Sequence, residues 1–153
     1  MVASSVVVPK SGLYAEPRED WLALYSEAII DPTRRIIDAH HHLWDRQGAR
    51  YMLEELTDDI AMGHNIVATV YVDCRSMYRA SGPEAFKPVG EVEFANGVAA
   101  QAASGGYGAC QINAAVSLRL KSVESTADMM IISPPSSRAA TAVLREIYTS
   151  FIR

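Results

Sequence analysis

Arg35-Ile36-Ile37-Asp38-Ala39-His40-His41-His42-Leu43-Trp44 is a short apolar run that ends in a polar cluster. The pattern suits a buried strand that opens onto a functional edge. Side chains on a strand alternate between faces, so Asp38, His40 and His42 are expected on one side and Ala39 and His41 on the other. Two residues along a strand span roughly 6.6 Å. Imidazoles at that spacing can converge on one metal ion with bonds of roughly 2.1 Å. Asp38, one step lower on the same face, is expected to orient a ring.

Working outward, the elements alternate. On the N-terminal side, Pro17 to Ala28 reads as a helix, with Trp21, Leu22, Tyr25 and Ile29 at helical spacing and Asp31-Pro32 as its end. Residues 1–16 read as a flexible arm. On the C-terminal side, Asp45 to Arg50 reads as a loop and Met52 to Met62 as a helix that Gly63 stops. Asn65 to Asp73, through Ile66-Val67-Ala68-Thr69-Val70-Tyr71-Val72, is the clearest strand. Cys74 to Val89 reads as a long loop broken by Gly82-Pro83 and Pro88. Glu91 to Ala103 reads as a helix with Val92, Ala95, Ala99 and Ala102 facing the core. The alternation predicts an α/β fold with a parallel sheet. The carboxyl ends of its strands are where such folds place their sites.

The remainder is less regular. Ala114 to Leu120 and Met129 to Ile132 are candidate strands, and Ala139 to Phe151 is a candidate helix beyond the Ser133-Pro134-Pro135-Ser136-Ser137 break. Composition shifts here. Residues 1–109 hold 9 Lys and Arg against 15 Asp and Glu, whereas residues 110–153 hold 5 against 3 and are twice as rich in Ser and Thr. Residues 110–153 are therefore expected to be a divergent tail, from a shifted reading frame or from unrelated sequence.

The whole chain has 153 residues, 49% of them apolar, and a net charge of −4. That allows one globular domain and gives no basic footprint for nucleic acid or an anionic membrane. No apolar run is long enough for a spanning helix. Cys74 and Cys110 match no metal spacing, and a cytoplasmic setting with free thiols is expected.

Ile36 to Asp45 resembles the first strand of the amidohydrolase-2, or amidohydrolase-related, family of TIM-barrel metal-dependent hydrolases. The subgroup it looks most like includes sugar-lactone and dicarboxylate-lactone hydrolases. The likeness continues through Arg50-Tyr51-Met52-Leu53-Glu54-Glu55-Leu56 and Gly63-His64-Asn65-Ile66-Val67-Ala68-Thr69-Val70-Tyr71-Val72. It runs on through Met77-Tyr78-Arg79-Ala80, Gly82-Pro83-Glu84 and Pro88-Val89-Gly90-Glu91, and fades near Gly108.

The resemblance implies that residues 17–109 are the first two or three βα units of a (β/α)8 barrel, a partial TIM barrel followed by a tail of uncertain structure. It implies that His40 and His42 bind a divalent metal, zinc or manganese, that polarises an ester or amide carbonyl and activates water. Some relatives work without a tightly bound metal, and there the same histidines contact substrate, so the alternative of no metal in this chain stands. Asp73, at the end of the second strand, is a candidate catalytic group. Tyr78 and Arg79, in the loop that covers substrate in such barrels, are candidate substrate contacts for a small molecule. The later ligands of the family sit on strands that a barrel of about 250 residues would carry, so this chain is expected to be a truncated and inactive hydrolase. Two other readings compete with that one. A small non-catalytic α/β protein could pair through an exposed sheet edge, and a complementing chain could supply the missing strands. An open three-strand fragment is expected to be unstable or to self-associate unless the tail or a partner chain covers its edge. His64 reads as a capping or packing residue, Trp44 as packing, and Cys74 as a small hydrophobe.

Overall fold

The computed structural model describes residues 18–46, 49–121 and 126–131. Its elements are α1 (Glu19–Leu22), β1 (Arg35–His41), β2 (Trp44–Arg46), β3 (Ala49–Tyr51), α2 (Leu53–Ile60), β4 (Asn65–Val72), a 3-10 turn at Glu84–Phe86, α3 (Val89–Ala102), β5 (Gln111–Lys121) and β6 (Thr126–Ile131). Strands β1, β4, β5 and β6 form one sheet in that order. β1 and β4 are parallel, β4 and β5 are parallel, and β6 closes antiparallel on β5. β2 and β3 form a small antiparallel hairpin. The chain is thus mixed α/β. Two parallel crossovers, through α2 and through α3, position each new strand beside the last.

Helical spacing sets the core. On α2 the apolar residues Leu53 and Leu56 share one stripe and are buried, and Ile60 packs against the same cluster. α3 contributes Ala95, Val98 and Ala102, which meet Tyr71 of β4 and Ile112 and Val116 of β5. Val92 is buried as expected, but Val98 is buried more fully than Ala99. A second cluster of small residues, Ala68, Val70 and Ala115, packs with Ile37 and Ala114. β4 supplies Tyr71 to the first cluster and the adjacent Val70 to the second, as strand alternation requires.

Three expectations change. The helix expected over Pro17 to Ala28 spans only Glu19–Leu22. Its apolar residues find no core: Trp21 is 62% exposed and Leu24 77%. A short helix without a packed face is marginal in water. The expected loop from Asp45 to Arg50 holds the β2–β3 hairpin, in which the Trp44 and Tyr51 rings stack 5.4 Å apart. The third change is in β1. Its register against β4 slips between Asp38 and His41. Asp38 pairs with Thr69 and His41 with Tyr71, so the slip carries Asp38 to the side of His41 and away from His40 and His42.

The expected strand at Ala114 to Leu120 is present and longer, and its start at Gln111 lies within the parallel sheet. The candidate strand near Met129 is β6. The flexible arm at residues 1–16 and the candidate helix at Ala139 to Phe151 lie outside the described residues. Among the described residues, no helix is long and apolar enough to cross a membrane.

Candidate functional site

The carboxyl ends of β1, β4 and β5 lie on one edge of the sheet, and β1 delivers its histidines there. The Nε2 atoms of His40 and His42 stand 3.1 Å apart. The rings meet edge to face, with centroids 4.8 Å apart. The two rings therefore lie on one side, as strand alternation predicts. His42 Nδ1 lies 2.8 Å from the Val72 carbonyl oxygen. A carbonyl only accepts, so Nδ1 carries the proton and donates, which leaves the Nε2 lone pair of His42 facing His40. Ligands bonded at about 2.1 Å with this Nε2 separation would subtend about 95° at a shared ion, an ordinary angle for neighbouring ligands. The pair fits as half of a metal site. Among the described residues no group of three or more His, Cys, Asp or Glu side chains is arranged to hold a metal ion.

Asp38 does not orient either ring. Its Oδ1 accepts the His40 backbone N–H at 3.1 Å, so it shapes the bulge from which His40 projects. His41 turns inward and is 7% exposed. Its Nε2 lies 2.9 Å from Thr69 Oγ1, and Thr69 Oγ1 also accepts the Asn113 backbone N–H at 3.0 Å. Burial pushes His41 down to about 4, against the opposing pull of the Asp38 carboxylate. It is a neutral crosslink between β1, β4 and β5. Asn113 adopts a left-handed φ of 53° and its Nδ2 donates to the Ala95 carbonyl at 2.9 Å, which ties β5 to α3 at the irregularity in the β4–β5 pairing.

The loop after β4 forms the rest of the rim. Asp73 is half-buried, and its backbone N–H donates to the Ser117 carbonyl at 3.0 Å, which fixes it at the strand end. Tyr78 and Arg79 follow on the exposed part of the loop. Arg79 is engaged by Glu93 on α3 through two hydrogen bonds, and this pairing raises the guanidinium further. Burial pushes the Tyr78 hydroxyl up. Cys74 is half-buried, and burial pushes its thiol up, contrary to what a nucleophile needs. His64 is exposed at the start of β4, at the opposite end of the sheet from His40 and His42.

Glu91, in the first turn of α3, organises this loop. It is fully buried. Its Oε1 accepts the Tyr71 hydroxyl at 2.7 Å, the Cys74 N–H at 2.8 Å and the Ser76 N–H at 3.2 Å. The neighbouring Gly90 leaves room for the loop: a Cβ there would lie 2.6 Å from the Met77 carbonyl oxygen and 2.7 Å from the Arg79 nitrogen. Opposite, Arg46 of the hairpin donates to the Cys74 carbonyl at 2.5 Å. Sequence reasoning places Glu91 only as the start of a helix. An acidic residue after Pro88-Val89-Gly90 at the close of a long loop is the one local sign of its role.

No protein-family model, curated protein or solved structure matches this chain.

Proposed function

We propose that this chain is the N-terminal part of an amidohydrolase-type barrel, whose parent reaction is metal-assisted hydrolysis of a lactone or a related ester or amide. The observation that carries the reading is the His40–His42 pair, two Nε2 atoms 3.1 Å apart at the end of the first parallel strand, one of them fixed by a backbone carbonyl. The parallel part of the sheet is compatible with such a barrel. β1, β4 and β5 add in one direction. The helices α2 and α3 join one core cluster, and small residues from the same strands form another. A (β/α)8 barrel shares this feature with other parallel α/β sheets, and the antiparallel β6 beside β5 departs from the barrel pattern.

In this reading His40 and His42 hold a divalent ion, zinc or manganese. Bound there, the ion would supply carbonyl polarisation and an activated water. The chain's own residues do the remainder. The Val72 carbonyl keeps the His42 proton on Nδ1 and so presents Nε2. Asp73, held at the end of β4 through Ser117, is the group assigned to proton handling. Tyr78 stands on the rim as a substrate contact. Arg79 is already committed to Glu93 and would have to leave it to reach a substrate. A catalytic zinc takes three protein ligands and an open position. Two imidazoles from one strand fall short of that, so the chain alone is expected to bind metal weakly and to need a complementing chain for turnover.

Titration of the purified protein with zinc, followed by the ring resonances of the four histidines, tests the reading. His40 and His42 should respond together, His64 should not, and His40→Ala should abolish the response of His42. An equal response in wild type and His40→Ala removes the site.

The second reading, a non-catalytic α/β protein that pairs through a sheet edge, draws on one observation. Among the described residues β1 is paired on one side only, by β4. A concentration-dependent dimer that Ile36→Pro, on that strand, dissolves would favour it.

A further inference from the structure

His40 and His42 bring two imidazole nitrogens together, and among the described residues no third His, Cys, Asp or Glu joins them to hold an ion. The other donors of β1 and the rim are committed. Asp38 Oδ1 accepts the His40 backbone N–H. The Cys74 thiol donates to the Leu43 carbonyl at 3.5 Å, and burial keeps it from becoming a thiolate ligand. Glu91 is fully buried, and its Oε1 already accepts three donors. The pair itself is well prepared. His42 Nδ1 donates to the Val72 carbonyl at 2.8 Å, which leaves Nε2 as the binding atom. His40 is exposed, and among the described residues β1 is paired on one side only, so the two rings stand at a sheet edge that a second molecule can reach. A structural zinc site is almost always closed by four protein ligands. Two copies of a two-imidazole set supply four. A two-fold interface requires only that one patch complement itself, and a pair of imidazoles meeting its own image across a cation does so. Charge acts in the same direction. Each chain has a net charge of −4, so two copies repel, and a dication between them offsets part of that repulsion.

We infer that two copies of this chain share one zinc ion, held by the Nε2 atoms of His40 and His42 from each, and that this ion joins them as a dimer. The inference rests on the reading of the pair as half of a metal site, and it names a second copy as the other half. Imidazole suits zinc, and four of them satisfy it without a carboxylate or a thiolate. A site closed by four protein ligands keeps no position for a water, so the bridged dimer does not turn over substrate. The dimer also differs from one made by strand pairing, because its stability follows the supply of metal rather than the hydrogen bonds of β1.

The test uses the full chain, first freed of metal with EDTA and then titrated with zinc alone. Mass is read by sedimentation and the histidine rings by NMR on the same samples. A monomer in EDTA that becomes a dimer as zinc is added, complete at one ion per two chains, supports the proposal. His40→Ala and His42→Ala should each abolish the zinc-induced dimer. His64→Ala, at the opposite end of the sheet, should leave it intact, and loss of the dimer there as well overturns the proposal. Cobalt(II) in place of zinc gives a readout that needs no variant. Four imidazoles around it produce the intense visible absorption of a tetrahedral ion, and the weak spectrum of an octahedral ion overturns the proposal. Zinc bound at both rings by a chain that stays monomeric, one ion per chain, defeats the shared site and leaves the reading of the pair as a metal half-site standing. No response of either ring to zinc removes the half-site, and the proposal with it. A dimer that persists in EDTA and in His40→Ala is strand pairing and overturns the proposal.

Discussion

The loop from Asp73 to Pro88 and the segment from Arg18 to Arg34 both flank the parallel sheet, and they are built in opposite ways. The loop is polar and well anchored. Its backbone is held by Glu91, Lys87 and Ser117, and Gly90 admits it onto α3. The N-terminal segment is rich in large apolar residues, yet Trp21, Leu22, Leu24, Tyr25 and Ile30 are all more than half exposed. Apolar content therefore does not decide order. A segment is fixed when its groups find partners, and in the loop the partner is one buried carboxylate.

The sharpest way to break this contrast is to remove that carboxylate. Glu91→Met keeps most of the side-chain volume but leaves the Tyr71 hydroxyl and two backbone N–H groups without an acceptor. Each orphaned donor costs roughly 1–3 kcal/mol, partly offset by no longer burying a charge. A net loss of about 3 kcal/mol is expected in denaturant unfolding. A loss below about 1 kcal/mol would mean that the loop is held by its other contacts.

A smaller effect is expected one layer deeper. Thr69 Oγ1 joins His41 on β1 to the Asn113 backbone on β5. Thr69→Val preserves shape and deletes the hydroxyl, so a fully buried N–H and a buried ring nitrogen lose their partner. About 2 kcal/mol of stability should go, with little change in the slope against denaturant. Asn113 should also lose amide-exchange protection, which a simple packing defect at Thr69 would not single out.

Much of this architecture is legible in the sequence, for local reasons. β4 is a run of β-branched and apolar residues that suits no other element so well, and Leu53, Leu56 and Ile60 recur at helical spacing. The meeting of His40 and His42 needs only alternation over three residues. What escaped depends on distant partners. The register slip that sends Asp38 to the side of His41 arises from pairing with β4, and β1 alone carries no trace of it. The hairpin at 44–51 needs Trp44 to stack on Tyr51, while its spacing reads as a loop. Glu91 looks like any first-turn acid, because its burial is created by a loop fifteen residues away. Periodicity over Trp21, Leu22, Tyr25 and Ile29 is real as a pattern, but Trp21, Leu22 and Tyr25 stay exposed and Ile29 is only half-buried, beside Gly63.

That last mismatch gives the smallest and most discriminating effect. Trp21 is exposed, so Trp21→Ala removes a large ring that touches little. Its stability should then move by less than about 0.5 kcal/mol, as surface substitutions do. Trp21 fluorescence should report a wet environment and quench readily with iodide. At high protein concentration the outcome separates the two readings of the chain. Should a partner strand or a second copy cover this segment, Trp21 becomes shielded from iodide and Trp21→Ala costs association while leaving monomer stability unchanged. Shielding at low concentration, with a loss above about 1 kcal/mol, would place Trp21 in a core of its own and erase the contrast between the two flanks.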